Sequence, residues 1–193
     1  MMGWQSWGQD ESPPDEAYGR VTNPERFRIL HSTMLDMMAR LEADFDVRLE
    51  EGYGLDKELE QHLSLALPSV ILTPADPDAA PLAVVFSDFP GLHLRFGLWW
   101  KELLPACGCD ACGDSGEELA ERLTKLTESV TAGRFWECHS PLSRWPRGNI
   151  WGSWGGTGHG ECSIADWPQH RHVNWKPWPH RSPGRLQSLY LSP

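Results

Sequence analysis

The chain has few basic residues for its length. Its 193 residues include 17 lysines and arginines against 27 aspartates and glutamates, which leaves a formal net charge of −10. Proteins that bind nucleic acids or anionic membranes need clustered positive charge. The composition therefore argues against a nucleic-acid partner and against a membrane partner. It leaves an unidentified protein or a small molecule as the expected partner.

The sequence also contains no long apolar run, and its first residues do not have the pattern of a signal peptide. No stretch approaches the roughly 20 consecutive apolar residues of a membrane-spanning helix. Residues 1–7 (MMGWQSW) show neither the basic start nor the apolar core of a signal peptide. We therefore expect a cytoplasmic protein whose thiols are reduced, since disulfides are rare in that compartment.

Tyrosine is scarce, whereas tryptophan is abundant, with three and 11 residues respectively. A stretch rich in tryptophan, glycine and proline begins after residue 140, and we expect a hairpin or long loops around residues 149–164. Its tryptophans are Trp145, Trp151, Trp154, Trp167, Trp175 and Trp178. We expect them to fill a core in irregular backbone. A stacking platform for a sugar or a peptide is the alternative, because an amphipathic ring is a favourable anchor.

The domain organisation follows from where periodic patterns begin and end. Residues 1–22 mix glycine, proline and acidic residues without periodicity, which predicts a mobile N-terminal arm. Residues 23–181 contain all the periodic segments and are predicted to form a single α+β domain. Residues 182–193 are then a tail.

Two helices are predicted with clear start signals. Asn23 can cap a helix and Pro24 suits a first helical position, and apolar residues then recur at helical spacing as far as Phe45. A second helix over residues 115–132 begins with a capping box, in which Ser115 precedes a glutamate by three positions. A short additional helix is expected over residues 56–63.

Three neighbouring segments are predicted to be β-strands. Residues 69–73 are rich in β-branched side chains, and residues 82–87 form a second short apolar segment. Residues 92–98 alternate between apolar and polar positions, as a half-buried strand does. Because the connections are short, we expect an antiparallel meander. Residues 134–138 are predicted to form a further strand. The expected fold is an antiparallel sheet of about three strands plus one or two more, packed against both helices.

Three of the five cysteines lie together in residues 107–112 (CGCDAC). Zinc binds thiolates at the corners of a tetrahedron, and a C-x-x-C turn brings two sulfur atoms together. Gly108 lets the backbone bend between the first two cysteines, and the start of the following helix favours thiolate over thiol. We therefore predict a zinc knuckle with Cys107, Cys109 and Cys112 as ligands. Thiols without a metal or as a redox pair are the main alternative, and an iron–sulfur cluster is a further one.

The fourth ligand of such a site is not evident from the spacing. The helix after the cluster is roughly 27 Å long, and the next strand returns only about 13 Å by Cys138, so Cys138 should fall short of the cluster. His159 and Cys162 lie in a glycine-rich stretch and are freer to reach it. Asp110 or Asp114 offers a local oxygen instead.

Five segments, taken in order, resemble a bacterial protein family. They are residues 18–27 (YGRVTNPERF), 72–77 (LTPADP), 89–91 (FPG), 107–112 (CGCDAC) and 175–181 (WKPWPHR). The chain resembles the actinobacterial family of unknown function numbered DUF6226 over roughly residues 18–181. The resemblance implies a cytoplasmic bacterial protein and implies no activity.

Two functional hypotheses follow. The first is a non-enzymatic binding or regulatory protein whose domain is stabilised by the zinc knuckle. The second is a redox or enzymatic protein that uses Cys107, Cys109 or Cys112 as a thiolate, with His159 as an additional site residue. A structural metal site has four protein ligands, whereas a redox or catalytic site leaves a thiol or a coordination position open.

Overall fold

The computed structural model describes residues 12–139, 147–152, 155–158 and 171–182. In these residues the helices are α1 (Ile29–Asp44) and α2 (Gly116–Thr131). The strands are β1 (Val47–Gly52), β2 (Ser69–Pro74), β3 (Leu82–Phe86), β4 (Leu92–Phe96), β5 (Trp100–Leu104), β6 (Phe135–His139), β7 (Arg147–Gly152), β8 (Gly155–Gly158) and β9 (Arg171–Asn174). Short 3-10 helices span Asp15–Ala17, Pro24–Phe27 and Asp110–Cys112. The fold is α+β, as predicted.

Strands β1 to β5 form one sheet in chain order, and each pairs antiparallel with the next. Its central strands β2, β3 and β4 are the three strands of the predicted meander. In β4 the side chains of Leu92, Leu94 and Phe96 are buried, whereas His93 and Arg95 are partly exposed. This is the alternation seen in the sequence, and the predicted meander is confirmed.

The two outer strands, β1 and β5, have no counterpart in the sequence prediction. Strand β1 follows α1 almost directly, and its alternation of aliphatic and charged residues covers only a few positions. In β5, Trp100 and Leu104 are buried on either side of Glu102, which is also buried. Glu102 pairs there with Arg122 of α2. A charged residue on the buried face conceals the apolar alternation of this strand.

Residues 56–63 form turns rather than the expected short helix. His62 has a φ of 63°, which a right-handed helix does not accommodate. Leu59 and Leu63 instead pack against Ala83 and Val85 of β3. This segment covers part of the sheet face opposite the helices.

The two main helices are present, and their starts differ in detail from the prediction. The first begins as the 3-10 helix Pro24–Phe27, and Asn23 makes no side-chain capping hydrogen bond. Helix α2 begins as predicted, because the Ser115 hydroxyl oxygen accepts a hydrogen bond of 3.1 Å from the Glu118 N–H. Within the described residues, no helix has the length and apolarity needed to cross a membrane.

Both helices pack on the large sheet around one shared hydrophobic core. Helix α1 contributes Leu30 and Met34, and α2 contributes Leu123, all completely buried. The largest buried side chains from the sheet include Trp100, Phe86 and Phe96. The predicted packing of the two helices on an antiparallel sheet is confirmed.

A second antiparallel sheet has the strand order β8-β7-β6-β9. Strand β6 corresponds to the predicted strand over residues 134–138. The chain after β9 carries Trp175 and Trp178, both buried, and the Trp178 indole N–H donates to the Ala80 carbonyl oxygen at 2.8 Å. These two tryptophans fill the core, as expected, whereas Trp151 of β7 is exposed.

The side chain of Glu137 on β6 connects the two sheets. Its carboxylate accepts hydrogen bonds from the backbone N–H groups of Leu98, Trp99 and Trp100 at 2.6, 2.9 and 2.9 Å. The indole N–H of Trp175 donates a fourth at 3.0 Å. Burial raises the pKa of this fully buried carboxyl group, and the four donors oppose the shift. We refer to this arrangement as the Glu137 site.

Candidate metal centre

The three cysteines of residues 107–112 lie in the loop between β5 and α2. The short 3-10 helix Asp110–Cys112 forms the middle of this loop. Gly113 follows with a φ of 65°, a left-handed conformation that glycine adopts without steric cost. This residue turns the chain from the 3-10 helix toward the cap of α2. The cysteines are thereby held between two regular elements.

The sulfur atoms of this cluster are already close together. Cys107 Sγ lies 3.2 Å from Cys109 Sγ, and Cys109 Sγ lies 3.5 Å from Cys112 Sγ. All three sulfur atoms lie within 4.8 Å of one another. Tetrahedral zinc with bonds of about 2.3 Å would place its sulfur ligands about 3.8 Å apart. The group is therefore compatible with binding a metal ion.

Protonation differs among these thiols. Hydrogen bonds from Cys107, and to a smaller extent from Cys112 and the Gly19 N–H, lower the pKa of Cys109 to about 7. The hydrogen bond to Cys109 raises the pKa of Cys112 to about 12. The pKa of Cys109 is thus lowered mainly by a neighbouring thiol. The sequence had instead indicated the start of α2 as the feature that favours the thiolate. A metal ion would replace the protons that the sulfur atoms now share.

The cluster is open to solvent on one side. Cys109 is buried, whereas Cys107 and Cys112 are exposed, and all three are free thiols. The described residues add no histidine, carboxylate or fourth cysteine to the group. Any fourth ligand from these residues would require a rearrangement. The candidates His159 and Cys162 lie outside the described residues.

The two local carboxylates have different surroundings. Asp110 is buried and accepts hydrogen bonds from the Arg20 side chain at 2.8 Å and from both the N–H and the hydroxyl group of Thr22. These hydrogen bonds, those from Thr22 first, lower the pKa of Asp110 to about 2. Burial raises the pKa of Asp114, which is partly exposed. Neither carboxylate belongs to the group formed by the three cysteines.

Two residues that are distant in sequence support the loop. The guanidinium group of Arg26 donates to the carbonyl oxygens of Gly108 and Asp114, at 3.2 and 3.3 Å. The ring of Phe89 occupies the space that a Cβ at Gly108 would need. Glycine is required at this position because of the ring as well as because of the turn. No local pattern indicated Arg26 or Phe89, since they lie far from the cluster in sequence.

Three further candidates from the described part of the chain, one cysteine and two histidines, lie outside the cysteine cluster. Cys138 of β6 is buried and disulfide-bonded, and it does not join the group. The expectation of reduced thiols is therefore wrong for Cys138. His31 contacts the Gly91 carbonyl oxygen at 2.9 Å and the edge of Phe86, so it has a packing role. His180 stacks on Phe45.

A family model described as a family of unknown function (DUF6226) matches residues 1–182. The chain belongs to this family. The DUF6226 match includes the cysteine cluster, the Glu137 site and the C-terminal motif with Trp175 and Trp178. No curated protein and no solved structure shows a significant match to the chain.

Proposed function

We propose that Cys107, Cys109 and Cys112 bind one zinc ion that stabilises the loop between β5 and α2. The observation that carries the proposal is the convergence of three free sulfur atoms within 4.8 Å. Thiolates are preferred zinc ligands, and the separations require only small adjustments to reach a tetrahedral arrangement. His159 supplies the fourth ligand in this proposal.

The proposed zinc ion has a structural role, and the protein is a non-enzymatic binding or regulatory protein. The cysteine loop holds Arg20, Thr22 and Arg26, which come from the start of the chain. Fixing the loop would therefore fix the contacts of a second part of the chain. Zinc that binds only the folded loop adds its binding free energy to the stability of the fold.

The proposal includes a partner and a location. The acidic composition supports a protein or small-molecule partner rather than a nucleic acid or a membrane. The three free thiols support the cytoplasm, whereas the disulfide at Cys138 is more typical of an oxidising compartment. Cell fractionation of the native host, followed by detection of the full chain, tests the location.

A metal titration tests the zinc proposal. Reduced, metal-free protein is titrated with Co²⁺, whose thiolate complexes absorb strongly, and Zn²⁺ is then added to displace it. Wild-type protein should bind one equivalent, and Cys109→Ser should bind with much lower affinity. Two matched variants, Asp114→Asn in the same loop and Cys138→Ser on β6, should retain one equivalent. Equal binding by Cys109→Ser and wild type would contradict the proposal.

A thiolate redox function is the second candidate. It is favoured by the pKa of Cys109, near 7, beside the exposed sulfur of Cys107 at 3.2 Å. A thiolate at neutral pH is the reactive form of cysteine. Alkylation of metal-free protein with iodoacetamide between pH 5 and pH 9 tests this function. A redox site predicts fast, selective modification of one cysteine with a midpoint near pH 7, and equal slow rates at all three would exclude it.

A further inference from the structure

Residues shortly before α1 pack directly on the cysteine loop. Ala17 is completely buried, and it is followed by residues whose hydrogen-bond partners lie in that loop. We call residues 14–22 the N-terminal segment. The Asp110 N–H donates to the Arg20 carbonyl oxygen at 2.8 Å.

Asp110 forms the centre of this contact. It lies between Cys109 and Cys112, so its position depends on how those two cysteines are held. Its carboxylate accepts from the Arg20 Nε at 2.8 Å and from the Thr22 N–H at 2.9 Å, and also from the Thr22 hydroxyl group. One loop residue thus satisfies donors from two residues of the N-terminal segment.

Arg26 makes the next contact along the chain. Its guanidinium group donates to the carbonyl oxygens of Gly108, inside the cysteine motif, and Asp114, two residues after it. Phe27 then enters the hydrophobic core and contacts the ring of Phe89, which lies against Gly108. The chain is therefore anchored by apolar packing from Phe27 onward, whereas the N-terminal segment, apart from the buried Ala17, depends on polar contacts with the cysteine loop.

We propose that metal binding at the cysteine cluster controls the docking of the N-terminal segment. This inference rests on the proposed zinc site. The metal fixes Cys109 and Cys112, and these fix Asp110 in the position that receives Arg20 and Thr22. Without metal the loop loses this constraint and the N-terminal segment separates from it, while α1 and the core remain folded. The site then acts as a metal-dependent latch.

Thermodynamic linkage makes the latch reciprocal. If metal binding favours the docked segment by some factor, docking must raise the affinity for metal by the same factor. Weakening the contacts of Arg20 and Thr22 should therefore weaken metal binding, although neither residue is a proposed ligand. A coupling of at least about fivefold is expected, the lower end of ordinary coupling between sites.

Hydrogen exchange on the full wild-type chain tests the latch without any substitution. Reduced protein is measured with one equivalent of Zn²⁺ and with excess chelator. The amides of residues 15–22 should exchange at least about fivefold faster in the chelated sample. The amides of Leu98, Trp99 and Trp100, which bind Glu137, should exchange at the same rate in both samples.

Metal affinity of variants provides the reciprocal test. The double variant Arg20→Gln/Thr22→Val should bind Zn²⁺ at least about fivefold more weakly than wild type in competition with a chelator of known affinity. Arg28→Gln is the matched control, because Arg28 is exposed and pairs with Glu25 rather than with the cysteine loop. The control should bind as wild type does.

The outcomes separate the two proposals. If wild-type protein binds no Zn²⁺, both the zinc site and the latch are wrong. If wild type binds one equivalent but exchange over residues 15–22 does not change, the latch alone is wrong. Unchanged affinity in the double variant likewise overturns the latch and leaves the zinc site intact.

Discussion

The Glu137 site and the cysteine cluster both join distant parts of the chain, but they differ in how completely the protein satisfies them. Glu137 is fully buried and receives four N–H donors from the protein itself. The cysteine cluster is partly exposed, and its sulfur atoms face one another. The first site is complete without a ligand, whereas the second places three soft donors where a metal ion fits. The stability of the two regions should therefore respond differently to metal.

Truncation of the core should have the largest effect, and it provides the reference for the comparison. Leu123 of α2 is completely buried in the core between the helices and the large sheet. Leu123→Ala should lower the free energy of unfolding by about 2–5 kcal/mol through lost burial and a cavity. Urea denaturation measures this loss, which should be equal with and without zinc. A loss below about 1 kcal/mol would show that Leu123 is not a core residue.

Removal of zinc should have the next largest effect. At a free zinc concentration about 1,000 times the dissociation constant, binding to the folded state alone adds about 4 kcal/mol. A chelator should therefore lower the melting temperature of wild-type protein by several degrees. The same chelator should leave the melting temperature of Cys109→Ser unchanged. An equal shift in both proteins would place the metal effect outside the cysteine cluster.

Substitution at Glu137 should cost somewhat less and should be independent of zinc. In Glu137→Gln an amide NH₂ group replaces an acceptor and faces N–H donors, so buried donors lose their partner. The expected loss is about 2–3 kcal/mol, as for unsatisfied buried groups. Denaturation with zinc and with chelator should give the same loss. A loss that appears only in zinc-loaded protein would mean that the two sites are coupled.

The smallest expected effect is a pH dependence of the free energy of unfolding that is lost in Glu137→Gln. Burial raises the pKa of Glu137 above its usual value of about 4.5, so the folded state holds the proton more tightly than the unfolded chain. The stability from this group is fully present below about pH 4.5 and is lost as pH rises through the folded pKa. Because the glutamine side chain of the Glu137→Gln variant does not titrate, the gap in stability between wild type and variant should shrink from pH 4.5 to pH 8. A gap that widens would show that the four donors outweigh burial.

Local patterns predicted the central part of the fold. Strands β2 to β4 carry their apolar patterns within five or six residues, and Ser115 with Glu118 marks the start of α2. Strand β5 escaped prediction because Glu102 is buried through its pairing with Arg122, which lies 20 residues later. The sequence of residues 56–63 is compatible with a short helix, and it is the positive φ of His62 in the structure that excludes one.

The candidate site shows the same division between local and distant information. The C-x-C-x-x-C spacing was enough to predict that the three sulfur atoms converge, because the turn that brings them together is local. The contacts of Asp110 with Arg20 and Thr22 span 90 and 88 residues, and no local pattern encodes them. The role of Glu137 depends on donors 37–39 positions away. These contacts arise from packing of the whole chain.

Elemental analysis of the full chain tests the central claim most directly. The protein is purified under reducing conditions, without added metal and without a metal-binding tag, and its zinc content is measured beside that of Cys109→Ser. The account predicts close to one equivalent of zinc in wild type and close to none in the variant. Metal-free wild-type protein whose Cys107, Cys109 and Cys112 all react with a thiol reagent in the native state would contradict it.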